Sequence, residues 1–134
     1  MNVALWVLQV LLAVAFLAHG VLLLFPPADL VEVMNATLTP AFRLFLGAAE
    51  VLAAVGLTVP GITRVMPWLV PSAAAGLMIV MIGATVLHVV RSEVSSAIIT
   101  AALLVMATVV AYMRWRVMPI QPRPSLPADR TVSL

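Results

Sequence analysis

Four runs of about 20 apolar residues, at 3–25, 41–59, 68–90 and 95–113, decide what this chain can become. Each is long enough to cross a hydrocarbon core about 30 Å thick as a helix. Each is also bounded by residues that start or stop helices. Pro26-Pro27 closes the first run, Pro40 opens the second and Pro60-Gly61 closes it. Pro67 opens the third, which Pro71 interrupts, and Arg114-Trp115-Arg116 follows the fourth. Proline suits a first helical turn and blocks continuation elsewhere, so these positions predict boundaries. The predicted fold class is all-α, an integral membrane four-helix bundle over residues 1–116. The tail, 117–134, holds four prolines and few large apolar groups, and is predicted to be extended or disordered.

Composition supports a membrane as the solvent. The chain is 64 % hydrophobic and 9 % charged, with a mean hydropathy of +1.20. A soluble domain is usually about half apolar, and a core of this size cannot absorb the excess. The first run has no Lys or Arg before it and is too long for a signal-peptide core, so it is expected to stay as a helix. The absence of cysteine excludes disulfides, thiol nucleophiles, Cys-ligated zinc and iron–sulfur clusters. All seven basic residues are arginines, none in a patch interleaved with aromatics, so no nucleic-acid partner is expected.

Four spans place both termini on one side. Arg114, Arg116, Arg123 and Arg130 mark that side as cytoplasmic by the positive-inside rule, and Arg64 falls there too. Trp6, Trp68, Tyr112 and Trp115 all reach the same interface, where amphipathic rings settle. The other side receives Asp29, Glu32, Arg91 and Glu93. The long loop at 26–40 reads either as an amphipathic segment lying on the outer interface or as an irregular connector.

Within this frame, an ionisable group at membrane depth costs a few kcal/mol and is kept where it meets a partner, a cavity or a substrate. Glu50 is such a group. A rise of about 1.5 Å per residue puts it roughly 10 Å below Arg43, which lies near the outer interface. His19 falls about 9 Å below the outer surface, and His88 is shallow beside Arg91. Three helices thus send polar groups into the outer half, while the inner half holds almost nothing polar except Gln9. Arg43, Gly47, Glu50 and Ala54 share one helix face, on which the small residues admit a neighbour and the two charges are expected to pair. The candidate catalytic residues are Glu50, His19 and His88, and the candidate substrate-binding residues are Arg43, Gly47 and Arg91. A cluster that only fixes packing is the competing reading. No cofactor is predicted. No metal site is predicted either, although a haem held axially by His19 and His88, or a quinone, stays open.

The motifs Arg43-x3-Gly47-x2-Glu50-x5-Gly56 and Pro67-Trp68-Leu69-x-Pro71-x-Ala73-Ala74-Ala75-Gly76-Leu77 point further. Together with His88, Tyr112-x-Arg114-Trp115-Arg116 and Pro119-Ile120, they give the chain a pattern that resembles the DoxX-like family over about residues 4–120. The resemblance implies a four-helix bundle in the bacterial inner membrane. Better-known relatives serve as a subunit of a thiosulfate:quinone oxidoreductase or work beside redox enzymes. The absence of cysteine argues against direct thiol redox here.

Two functions compete. The first is a membrane subunit or assembly factor, linked to quinone or redox enzymes, whose partners are other membrane proteins or further copies of itself. The second is an intramembrane acid–base enzyme of isomerase, epoxide-opening or cyclase type. It would act on a lipophilic isoprenoid- or quinone-like molecule, with Glu50 as proton donor and acceptor. The bilayer is a partner in both. The orientation has a direct test: a reporter fused after Arg116 should behave as cytoplasmic, and periplasmic activity there would invert every depth above.

Overall fold

The computed structural model describes residues 2–124. Of the predicted tail, 125–134 lies outside the described residues. Five α-helices follow one another: α1 (Asn2–Leu24), α2 (Ala28–Thr37), α3 (Pro40–Thr63), α4 (Leu69–Val90) and α5 (Val94–Tyr112), with a π-helical turn at Met113–Val117 closing the last. Four of them, α1, α3, α4 and α5 with its π turn, are long and apolar enough to cross a membrane. The protein is therefore an all-α four-helix bundle with a short extra helix between its first two spans.

The local chemistry explains most boundaries. Pro26 and Pro27 end α1, and Pro27 precedes α2, where Asp29 lies in the first turn and complements the helix dipole. Thr39 caps α3, its Oγ1 accepting from the Phe42 amide at 3.4 Å, and Pro40 takes the first helical position. Two prolines behave differently from their sequence reading. Pro60 does not stop α3, which runs on to Thr63; so near the end of the helix it removes only one backbone bond. Pro71 does not interrupt α4, because it falls in the first turn, where no amide needs an intrahelical partner.

The four spans pack in two pairs. Helix α1 lies along α3 and α4 along α5, while α3 also meets α4 and α1 meets α5 least. The α1–α3 contact is set by glycine. A Cβ built on Gly20 would sit 2.9 Å from the carbonyl oxygen of Gly47, and one on Gly47 would sit 2.9 Å from that of Gly20. Backbones this close leave room for no side chain. The α3–α4 contact repeats the device with Gly56 against Ala73. Leu12, Phe16, Leu57, Leu77, Ala107 and Val110 fill the centre. Large apolar residues such as Ile79, Val90 and Val105 face outward, as lipid contact requires.

Burial is not even along the bundle. At the end carrying both termini, the facing stripes Ala74–Leu77–Met81 of α4 and Ala107–Val110–Arg114 of α5 are buried. Towards the α2 end the same stripes continue through Ala84 and His88, and through Leu103, Thr100 and Ser96, all of them part-exposed. The α4–α5 pair is thus packed more tightly at the terminal end, with Ala97 its buried residue towards α2, while α1 and α3 stay buried towards α2 through Gly20, Leu23, Arg43, Gly47 and Glu50.

The glycine crossing gives a stability test. Gly47→Ala puts a methyl group against a backbone oxygen that cannot retreat and should cost about 1–3 kcal/mol, read as a lower melting temperature in detergent. Gly76→Ala, where a Cβ would meet nothing within 4 Å, should leave it equal or slightly higher.

Candidate functional site

The Gly20–Gly47 contact brings the preceding residue of α1, His19, beside the next turn of α3. There, Nδ1 of His19 lies 2.6 Å from Oε2 of Glu50. Glu50 is 1 % exposed, and its other oxygen, Oε1, is buried without a hydrogen-bond partner. The His19 side chain, by contrast, is 54 % exposed. Leu12, two turns away on the same face of α1, is wholly buried. Gly20 and Leu23, at and beyond this level, are buried too, so the His19 ring stands at the edge of the buried face of α1. His19 therefore connects a buried carboxyl group to the surroundings. Either Nδ1–H donates to the carboxylate, or the carboxylic acid donates to Nδ1; both arrangements keep one proton in the bond. In both, Oε1 is an acceptor without a partner, which a hydroxyl group could supply; with a second proton held on Oε1 while Nδ1–H donates to Oε2, the same oxygen could donate to a carbonyl or epoxide.

Arg43 is buried but does not pair with Glu50. Its Nη1 donates to the Leu23 carbonyl and its Nε donates to Asn35 Oδ1 at 3.3 Å. This corrects the expected charge pair. Seven residues on one helix are about 10 Å apart along the axis, beyond direct contact. Arg43 instead satisfies a carbonyl in the last turn of α1, one of the groups a helix cannot satisfy itself, and ties α2 to that end. Gly47, on the same face, is occupied by the Gly20 backbone.

His88 and Arg91 belong to a second group. Nδ1 of His88 lies 2.5 Å from Glu93 Oε2, Arg91 Nε donates to Glu93 Oε1 at 2.9 Å, and Arg91 Nη1 donates to Thr37 Oγ1 at 3.2 Å. The cluster of four residues read from the sequence thus resolves into a Glu50–His19 pair, an Arg43 anchor and a separate network joining the α4–α5 turn to α2. The α2 segment is a helix with no buried residue, resting beside Arg43 and Arg91. The two histidines each engage a different carboxyl group. Among the described residues, no three His, Asp or Glu side chains gather as a metal site.

A third polar group was not anticipated. Arg114, 4 % exposed, donates from Nε to Gln9 Oε1 at 2.5 Å and from Nη1 to Asn2 Oδ1 at 3.0 Å. Gln9 in turn donates to the Leu57 carbonyl at 2.7 Å, and the guanidinium stands 5.1 Å from the Trp6 ring. The half of the bundle expected to hold only Gln9 therefore buries an arginine as well. The π turn lies at the end of α5 where Arg114 turns inward. Gln9, alone in an apolar run, was the available signal.

A groove of about 200 Å³ runs along α1 and α3, lined by Val10, Ala13, Val14, Leu17, Ala54, Val55 and Thr58. It is separate from the Glu50 site. Val10 and His19 are nine residues apart, half a turn out of phase, so the groove opens on the other flank of α1.

Residues 7–110 match the DoxX-like family. The chain belongs to this family. No curated protein and no solved structure matches it. The membership agrees with four membrane-crossing helices and identifies a small multi-pass membrane protein.

The network at the α4–α5 turn carries a pH dependence. The His88 hydrogen bond, against a smaller opposing effect of burial and with help from Arg91, holds the Glu93 carboxyl below the usual carboxylate range. A depressed acid contributes stability that is present above its unfolded value and is lost as pH falls through its folded one. Amide exchange at residues 91–94 should thus be flat down to the ordinary carboxylate range and rise below it. Glu93→Gln should remove the acid-dependent step, and a step that persists in that variant would assign it elsewhere.

Proposed function

We propose that this DoxX-like protein is an intramembrane acid–base protein. In this reading it takes a lipophilic molecule bearing a carbonyl, hydroxyl or epoxide oxygen from the bilayer and exchanges a proton with it through Glu50. The reading rests on one observation above all: a buried carboxyl group with one oxygen on His19 and the other without a partner. Structural polar groups in membranes normally spend their polar atoms on neighbouring helices, as Gln9 does here with both ends of its amide.

The chemistry follows from that arrangement. Protonated Glu50 donates from Oε1 to the ligand oxygen and becomes a carboxylate. His19 Nδ1–H then stabilises the charge. The exposed imidazole receives or releases the balancing proton at its other nitrogen. An isomerisation or cyclisation needs one proton added and one removed, and no oxidant. In the bacterial inner membrane with both termini cytoplasmic, the pair falls in the outer half, and ligand comes from the outer leaflet. A membrane subunit or assembly factor remains the rival reading, and Glu50 separates the two.

Glu50→Gln keeps the shape and a hydrogen bond to His19 but removes the exchangeable proton. The variant and the parent protein are purified in the same detergent, and co-purifying lipophilic molecules are compared by mass spectrometry alongside melting temperature. The expected outcome is loss of a retained molecule, and a fall of about 10²-fold or more in any turnover of it, with the bundle intact. An unchanged set of bound molecules would reject the acid–base reading and leave the subunit reading.

A further inference from the structure

A cleft at the terminal end of the bundle takes no part in the site above. It forms where α3 ends and the chain beyond α5 folds back, with a volume of about 610 Å³ lined by Ile62, Thr63, Arg64, Val65, Arg123 and Pro124. The Arg123 amide donates to the Arg64 carbonyl at 3.1 Å, so the backbone itself joins the two arginines. We infer that Arg64 and Arg123 form a binding site for a phosphate group, with an anionic lipid headgroup as the source its surroundings favour.

Charge is the first support. The ion pairs of the described residues are His19–Glu50, His88–Glu93 and Arg91–Glu93, and neither cleft arginine takes part. Asp29 and Glu32 lie in α2, Glu50 in the adjoining part of α3 and Glu93 at the α4–α5 turn. The terminal end therefore carries Arg64, Arg114, Arg116 and Arg123 with no carboxylate among the described residues. Arg114 adds to the need for an anion. It is buried against neutral acceptors only, and its Nη2 has no partner. It is also close by: the Trp6 ring that faces Arg114 stands 2.7 Å from where a Cβ of Gly61 would be, next to Ile62 of the cleft.

Geometry is the second. Arg64 caps α3 in the left-handed conformation, φ 58° and ψ 22°, where glycine is the favoured residue. Met66 and Ser92 adopt positive φ as well, so this conformation orients Arg64 at the end of α3 without by itself marking a site. The carbonyls ending α3 oppose an anion with about half a negative charge. Two guanidinium groups outweigh them, and each presents a planar fork matched to phosphate oxygens.

The apolar surroundings favour a lipid over a free ion. Ile62 and Val65 are exposed on the cleft, and Trp68, Tyr112 and Trp115 are exposed at the same end, the pattern of a membrane interface. Acyl chains would lie along the first pair while the headgroup meets the arginines.

The test uses the full-length protein in neutral detergent, titrated with phosphatidylglycerol, with phosphatidylcholine as the uncharged control. Native mass spectrometry reads occupancy. Phosphatidylglycerol should bind about tenfold or more weakly to the Arg64→Gln/Arg123→Gln double variant than to the parent. Arg116→Gln, a position outside the cleft, should keep the parent's affinity. Inorganic phosphate that displaces the lipid from the parent would identify the free anion as the source at the same site. Equal affinity in the parent and the double variant, or an equal loss in Arg116→Gln, would overturn the site. A photo-crosslinking phosphatidylglycerol examines the unaltered chain: label at 62–65 and 123–124 is expected, and label confined to other segments would overturn the proposal.

Discussion

Gly20 and Gly47 let α1 and α3 touch backbone to backbone, and the positions of the neighbouring side chains follow from that contact. With any larger residue at either position the helices would stand farther apart, and a 2.6 Å bond between His19 and Glu50 would not close. The same approach buries Glu50 and brings Arg43 onto the Leu23 carbonyl, so that α1 is capped by a side chain from the helix beside it. A carboxyl group at membrane depth is costly, and here the cost is only half offset, since one oxygen has no partner.

The polar groups at the two ends of the bundle are used differently. At the terminal end, Arg114, Gln9, Asn2 and the Leu57 carbonyl are chained together, and the chain links α1, α3 and the π turn. The stripes of α4 and α5 are buried at this level, so the end is closed. At the α2 end, the contacts that bridge helices run from the buried bond of Arg43 to the Leu23 carbonyl, through the part-buried Asn35–Arg43 bond, to the exposed Arg91–Thr37 bond. Between these ties and the closed end, the His19 side chain is half exposed while Glu50 beside it is buried.

The architecture was legible because it depends on local properties. Runs of apolar residues of membrane length, with proline at their edges, need no tertiary information to be recognised. The two prolines that misled, Pro60 and Pro71, show where the rule is weakest: within a turn of a helix end, proline removes at most one hydrogen bond. Glu50 and His19 were also legible, each as an isolated polar group in an apolar run. Their pairing was not. Helical periodicity places Arg43 and Glu50 on one face but cannot say which residue of α1 stands opposite, because that depends on the register of two helices and so on a glycine contact between distant residues. Arg114 was hidden for a related reason. As a residue in the sequence Arg114-Trp115-Arg116 it reads as an interfacial anchor, and its burial arises only from a π turn and an acceptor 105 positions away.

A bundle closed at one end, with a half-exposed imidazole nearer the other, suits a site that must hold a proton without sealing it off. A fully packed interior would leave Glu50 with no path for exchange. A water-filled one would weaken its interaction with His19, since a low local dielectric is what makes such a bond strong. The arrangement here lies between these limits: the carboxyl is buried, and the imidazole attached to it is not. The closed end joins Arg114 to Gln9 and so ties the π turn to α1 and, through the Leu57 carbonyl, to α3. The glycine crossing holds α1 on α3 beside the pair, so that Glu50 is buried at that contact while the His19 ring reaches past it to the surface.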